Sequence, residues 1–282
     1  MTTYAVTGVT GYLGRLVVAE LLARGVPATD VVALARTPEK AADLGVPVRR
    51  ADYSDPSTLA GALAGVDVLL LVSGTELGQR VAQHTNVIKA AEVAGVGRVA
   101  YTSIANAEHS TNPLQPEHKA TEDVLRASGV PFTILRDNWY LENYTGQLPQ
   151  YLATGEVLGI DGTARVGAAT RADMATAIVA ALLDPATEGA TLELAGPPLT
   201  LAGLAETITD VTGTAVAYRD VTAEELTAVL RETGMDDATA GFVVALEESV
   251  ARGDLDVRSD DLERLLGRPA TSLADALRAA SA

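Results

Sequence analysis

Residues 3–20 read TYAVTGVTGYLGRLVVAE, and how this stretch folds decides the architecture of the rest. Thr3–Thr7 favours a strand. Gly8, Gly11 and Gly14 follow at a uniform spacing of three, and an apolar-periodic segment then runs towards Gly25. Strand, glycine turn and helix in that order is the arrangement that holds a dinucleotide. The first glycine lets the chain turn sharply, the next lets the backbone approach the pyrophosphate, and the third brings helix and strand close. The helix N-terminus then offers unpaired N–H groups and a positive dipole end to the phosphates. The spacing departs from G-x-G-x-x-G, and glycines also punctuate turns for purely structural reasons, so the context carries the reading.

Outward from the turn, the first 140 residues alternate strand and helix. Val31–Ala35, Pro47–Ala51, 66–72 (VDVLLLV), 98–103 (RVAYTS) and 131–136 (PFTILR) read as further strands. The 66–72 run is nearly all apolar, as expected of a central parallel strand covered on both faces. Thr37-Pro38 and Asp55-Pro56 place a cap residue before a first-turn proline. Successive βα units of this kind build an open parallel sheet with right-handed crossovers. After Tyr144 the rhythm loosens: a short strand at Val157–Ile160, a capping box at Thr170–Asp173, a strand at 191–196, then mainly helix with a second box at Thr222–Glu225. The expected fold class is therefore α/β: a Rossmann-type doubly wound parallel sheet with a smaller C-terminal α/β lobe. Residues 1–144 form the NAD(P)-binding lobe, with some later segments returning to it, and 145–282 form a substrate-covering lobe.

Composition narrows the partners. With 21 basic against 37 acidic residues the formal charge is −16, a field that repels nucleic acid, and no basic run offsets it. No segment approaches the length of a membrane-spanning apolar run. The absence of cysteine excludes thiolate chemistry and fits a cytoplasmic location. Three scattered histidines lack metal-ligand spacing, and neither an ATP-binding P-loop nor a G-x-S-x-G elbow is present.

The strand at 31–35 ends in Arg36, with Lys40 one helical turn on, where NAD-binding sites usually place an acid against the ribose diol. Cations there suit the 2′-phosphate of NADP, although a solvated strand-end arginine would look the same. Asp52-Tyr53 ends the third strand, where the acid can accept from the adenine amino group or simply cap a turn. Val72-Ser73-Gly74 ends the fourth and should pass beneath the cofactor.

No tyrosine in the chain has a lysine four residues on, so the usual Tyr-x-x-x-Lys pair is missing. Where it would lie, His118 and Glu122 share one helical face. His118 is then a candidate donor to a substrate oxygen, with Glu122 holding its other ring nitrogen; a surface ion pair is the alternative. Ser103, ending the fifth strand, is placed to bond the nicotinamide carboxamide or a substrate oxygen. Asn138-Trp139-Tyr140 follows the sixth strand, and its aromatic wall suits a flat, conjugated substrate or an anchor between lobes.

AVTGVTGYLG, ALAR, RVAYTSI, TRADMATAIVAAL and above all HKATEDVLRASGVPFTILRDNWYLENY give the chain its resemblance to the NmrA-like group of atypical short-chain dehydrogenases/reductases, in particular the bacterial type 2 NAD(P)H:quinone oxidoreductases. The resemblance implies NADPH along the carboxyl edge of the sheet. Gly8, Thr10, Gly11, Tyr12, Leu13 and Gly14 would line the pyrophosphate, Arg36 the adenosine phosphate, and Asn138, Trp139 and Tyr140 the mouth for a quinone-like substrate. That group also lacks the Tyr-Lys pair. The expected activity is hydride transfer from NADPH to a quinone or similar acceptor, by a monomer or homodimer without membrane or nucleic-acid partners. The alternative is an inactive NADP-binding redox sensor acting through a protein partner.

Overall fold

The computed structural model describes residues 1–281. Strands β1 (Tyr4–Val6), β2 (Val31–Ala35), β3 (Val48–Arg50), β4 (Val68–Leu71), β5 (Arg98–Ile104) and β6 (Phe132–Asp137) are joined by a strand from later in the chain, β8 (Thr191–Leu194). These seven form one parallel sheet in the order β3-β2-β1-β4-β5-β6-β8. The order reverses between β1 and β4, and in a doubly wound sheet the crevice at the carboxyl ends of those two strands is where a ligand lies.

Side chains alternate along each strand and fill two cores. On one face Val6, Ala33, Leu70, Ala100 and Leu135 pack with α1 (Tyr12–Ala23) and α7 (Arg171–Leu183). On the other face Ala5, Val32, Leu34, Leu69, Leu71, Tyr101 and Ile134 meet α2 (Leu59–Ala62), α3 (Arg80–Ala94) and α4 (Gln115–Ala127). Leu69, Leu70 and Leu71 are all fully buried, which is why the sequence here is continuously apolar rather than alternating.

The chain leaves the sheet after β6 through α5 (Glu142–Thr145), α6 (Leu148–Thr154) and β7 (Glu156–Gly159), and returns to it with α7 and β8. It then adds α8 (Leu201–Thr212), β9 (Ala217–Asp220), α9 (Ala223–Glu232) and α10 (Asp237–Ala251). Last come α11 (Asp261–Leu266), which packs on α7, and α12 (Leu273–Ser281), which packs on α8. β7 and β9 pair in parallel as a separate two-stranded sheet. Tyr144, Leu148, Leu204, Ile208 and Leu277 form the core beneath it.

Capping follows the sequence in part. Thr222 and Glu225 make both bonds of a capping box. Thr170 accepts from the Asp173 N–H, but Asp173 does not reach back. Its carboxylate accepts instead from Arg268 at 2.6 Å and the Thr271 N–H at 2.7 Å, so it ties α7 to the chain after α11. Thr37 occupies the cap position of a 3₁₀ turn at Pro38–Leu44 without bonding through its hydroxyl.

Candidate active site

The carboxyl ends of β1 to β6 open into one cleft of about 680 Å³. Its floor is the glycine turn. Gly8 lies at φ +64°, a left-handed backbone that a side chain would strain. A Cβ at Gly14 would sit 2.5 Å from the Gly8 carbonyl oxygen, so only glycine lets α1 approach the strand this closely. Gly11 caps α1 with no side-chain hydrogen bond, and the first turn of the helix holds no acid. Helix N–H groups without an internal partner therefore face the cleft, which fits a bound pyrophosphate.

Thr10, Gly11, Tyr12, Leu13, Arg36, Asp52, Tyr53, Val72, Ser73, Gly74, Ser103, His118, Asn138, Trp139 and Tyr140, together with Gly8 and Gly14, all line this cleft. Lys40 does not: it lies on the 3₁₀ turn, where its backbone carbonyl accepts from Arg15. The charge opposite Arg36 belongs to Glu76 of the β4–α3 loop, 3.0 Å away. Asp52 accepts from the Ser54 N–H in a local turn, and the Tyr53 hydroxyl lies 2.5 Å from Thr7 Oγ1 and 2.9 Å from the Val72 carbonyl. Burial there pushes the Tyr53 phenol upward. The end of β4 is held by α3: the Gly74 N–H donates to His84 Nε2 at 3.0 Å, and Arg80 donates to the Gly74 carbonyl at 2.9 Å. His84 is thus a neutral, fully buried acceptor, taken down to about 3 by burial and then by Arg80.

At the far end the expected pair of His118 and Glu122 separates. His118 Nδ1 bonds the Tyr101 hydroxyl at 2.9 Å, not Glu122. Burial first, then Arg80 and His84, take its pKa to about 3, so it is a neutral imidazole and no source of an acidic proton near neutral pH. Glu122 is 0 % exposed and accepts from Arg136 Nε at 2.8 Å, Arg136 Nη2 at 2.7 Å, Arg126 at 2.9 Å and Ser103 Oγ at 2.7 Å. Two-point pairing with a guanidinium on the neighbouring strand outcompetes a lone imidazole on its own helix. The Ser103 hydrogen is therefore engaged, and towards a ligand this hydroxyl can only accept.

Asn138 also turns inward. Its Oδ1 accepts from the Trp139 N–H at 2.7 Å and its Nδ2 donates to the Leu255 carbonyl at 3.2 Å, which fixes the loop after β6. Trp139 lines the cleft and packs on the core of the later segments as well, so it serves as wall and anchor together.

Two lining residues, Arg171 and Asp137, and one buried behind the cleft, Tyr101, escaped the sequence reading. Tyr101 shares the face of β5 with Ser103, a period-two relation that could have found it. Arg171, the first residue of α7, stacks 4.6 Å from the centre of the Tyr140 ring and 5.8 Å from that of Tyr12, bridging the glycine turn to the β6 loop. Asp137, 6 % exposed, accepts from the Tyr140 hydroxyl at 2.8 Å through Oδ2, while Oδ1 has no partner among the described residues. Burial takes its carboxyl up to about 7. No set of side chains suited to hold a metal ion occurs among the described residues, and no described helix is long and apolar enough to cross a membrane.

Sheet order, glycine turn and strand-end arginine together define a dinucleotide-binding reductase lobe. The chain matches the NAD(P)H-binding family over residues 8–185 and belongs to that family, in its NmrA-like branch. It is similar to quinone oxidoreductase 2 of Escherichia coli (strain K12), at 41 % identity over 277 residues, covering 97 % of this chain and 96 % of that protein. The crystal structure of the NADPH-dependent quinone oxidoreductase of Escherichia coli complexed with NADPH superposes with a TM-score of 0.96 at 39 % identity, covering 99 % of this chain and 100 % of that one. The Citrobacter sp. triphenylmethane reductase complexed with NADP(H) gives 0.94 at 36 % identity, with 99 % and 100 % covered.

Proposed function

We propose that this chain is an NADPH-dependent oxidoreductase that reduces a quinone or a similar flat, electron-poor conjugated acceptor. The observation that carries this reading is the continuity of the cleft. It runs from Arg36, past the glycine turn, to an end walled by Trp139, Tyr140, Leu114 and His118. A site that only sensed the dinucleotide would need no space beyond the nicotinamide, and the aromatic end supports turnover.

When bound, the cofactor supplies a hydride from its nicotinamide ring. The protein's part is to bind, orient and exclude water. The α1 N-terminus holds the pyrophosphate, with Arg171 beside it. Arg36 exchanges Glu76 for the 2′-phosphate and so selects NADPH over NADH. Ser103, held by Glu122, accepts from the carboxamide. Trp139 stacks the acceptor with the Tyr140 hydroxyl at its edge, and His118, oriented by Tyr101, hydrogen-bonds an acceptor oxygen through its free Nε2. Fixing two flat rings at reacting distance supplies much of the rate for an acceptor that is already activated. The segments after residue 145 pack on Trp139 from behind and hold this wall of the cleft in place.

Purified protein mixed with NADPH and a simple benzoquinone tests the reading. We expect NADPH oxidation with hydroquinone formed mole for mole. Protein that binds NADPH yet oxidises it with no quinone overturns it.

A further inference from the structure

Reduction of a quinone takes up one hydride and one proton, and few groups in the cleft hold a proton they can give. His118 is neutral with burial pressing against its cation, the Ser103 hydrogen is engaged by Glu122, and Tyr53 bonds strand ends. At the end walled by Trp139, away from Tyr12 at the glycine turn, Asp137 and Tyr140 remain. Both line the cleft, their 2.8 Å hydrogen bond joins them, and Asp137 Oδ1 is buried without a partner. A carboxylate oxygen left so is costly, whereas the carbonyl oxygen of a neutral carboxylic acid is far less so.

Building on the quinone-reductase reading, we propose that Asp137 and Tyr140 form a two-residue relay that delivers the proton to the reduced acceptor. With Asp137 ionised, the Tyr140 hydroxyl donates to Oδ2. With Asp137 protonated, the same contact reverses: Oδ2–H donates to Tyr140 Oη, and the tyrosine hydrogen turns into the cleft. When the hydride forms its bond to the acceptor, the carbonyl π pair moves onto oxygen. That oxygen takes the Tyr140 hydrogen as Tyr140 Oη takes the Asp137 proton. The acceptor gains two electrons and two hydrogens, Tyr140 ends as it began, and Asp137 is left as a carboxylate that reloads from water.

The surroundings suit this role. Arg171 of α7 stacks on Tyr140, Glu142 at the start of α5 lies near it, and His118 of α4, held from behind by Tyr101 of β5, faces the same cleft. Arg136, Glu122 and Glu193 form their own ion pairs. Burial followed by the Tyr140 bond sets the Asp137 carboxyl, which at about 7 is protonated in a useful fraction near neutrality.

Asp137→Asn, Tyr140→Phe and the double variant test the relay with NADPH and a benzoquinone. In the wild type we expect kcat to be level below about pH 7 and to fall about tenfold per unit above it. Each single variant loses roughly 10²-fold in kcat, Asp137→Asn loses the pH limb, and the double variant is no worse than either single one. NADPH dissociation constants stay within about twofold, which excludes misfolding as the cause. A second readout needs no turnover: carbonyl NMR of ¹³C-Asp-labelled protein without cofactor should show one carboxyl, absent from Asp137→Asn, titrating near pH 7. The relay is refuted if Asp137→Asn keeps the wild-type rate and pH profile, if the single losses multiply in the double variant, or if every Asp titrates in the ordinary range. Wild-type protein that binds NADPH but reduces no quinone removes the parent reading instead, and the relay with it.

Discussion

Replacing Asp137 by Asn should make the protein more stable, and increasingly so as pH rises. The Asp137 carboxyl stands at about 7 in the fold against an ordinary 3.8, because burial disfavours its charged form. The folded state therefore binds a proton that the unfolded state gives up. Stability is fullest below 3.8 and declines as pH climbs towards 7, beyond which the loss is complete. Across this gap of about three units, at about 1.36 kcal/mol each, the whole cost is about 4 kcal/mol. Between about pH 5 and about pH 8 the wild type should lose about 2.5 kcal/mol through this one group. Asn cannot ionise and escapes the loss. Its amide adds a buried donor beside Tyr140, a cost that is the same at both pH values and cancels in the comparison. The assay is denaturant unfolding of both proteins, followed by circular dichroism at the two pH values. The stability difference, variant minus wild type, should rise by about 2.5 kcal/mol at the higher pH, or about 5 to 10 °C in Tm. An equal difference at both values would show that the carboxyl titrates normally and would refute the reasoning.

Arg36→Ala should weaken NADPH binding by roughly 10- to 100-fold while leaving NADH nearly unchanged, the loss of one charge-assisted contact to the 2′-phosphate; equal losses for both, measured by fluorescence titration, reject that role. Glu76→Gln removes the carboxylate that competes for Arg36 at 3.0 Å, and NADPH, but not NADH, should bind a few-fold more tightly. Gly14→Ala forces a Cβ to within 2.5 Å of the Gly8 carbonyl, so it should lower stability by about 1–3 kcal/mol and abolish NADPH binding; near-normal binding in calorimetry would contradict the close approach. Glu122→Ala removes the two-point partner of the buried Arg136, which keeps Glu193 and Glu108, and should cost about 2–3 kcal/mol in unfolding experiments. Burial alone would raise the Glu122 carboxyl, but hydrogen bonds from Arg136, Ser103 and Arg126 outweigh it and hold it low, so this stabilisation should disappear as pH falls through the acid range.

What could be read from the chain was what local pattern determines. The strand at Val31–Ala35 has the bounds that its apolar run implies, and the glycine turn sits between strand and helix because its spacing allows nothing bulkier. The box at Thr222–Glu225 forms in full because nothing distant competes for Glu225. The readings that went astray were decided from afar. Asp173 is drawn from its own helix end by Arg268 and Thr271, some hundred residues later, and Glu122 leaves His118 for an arginine on the adjoining strand. Helical spacing places two side chains on one face, but it does not say what the facing strand brings. Arg136 and Asp137 make the same point. They are consecutive, so a strand sends them to opposite faces, one into the Glu122 network and one into the cleft. In the sequence they look like an ordinary neighbouring charge pair.

The charges of the cleft are sorted along its length, and the sorting follows from where each group is buried. Its phosphate end has the dipole of α1 with Arg36, and Arg171 reaches from there to Tyr140, cations in a chain whose formal charge is −16. At the reacting end, burial keeps His118 neutral and leaves Asp137 largely uncharged below about pH 7. An ionised group there would have to be desolvated each time an uncharged flat acceptor displaced water, a cost of several kcal/mol for each charge. Neutral groups that can still donate or accept a hydrogen bond avoid that cost. The same burial that makes Asp137 a liability to the fold above neutral pH is thus what gives it a proton to deliver, so one substitution should strengthen the protein and slow its reaction together.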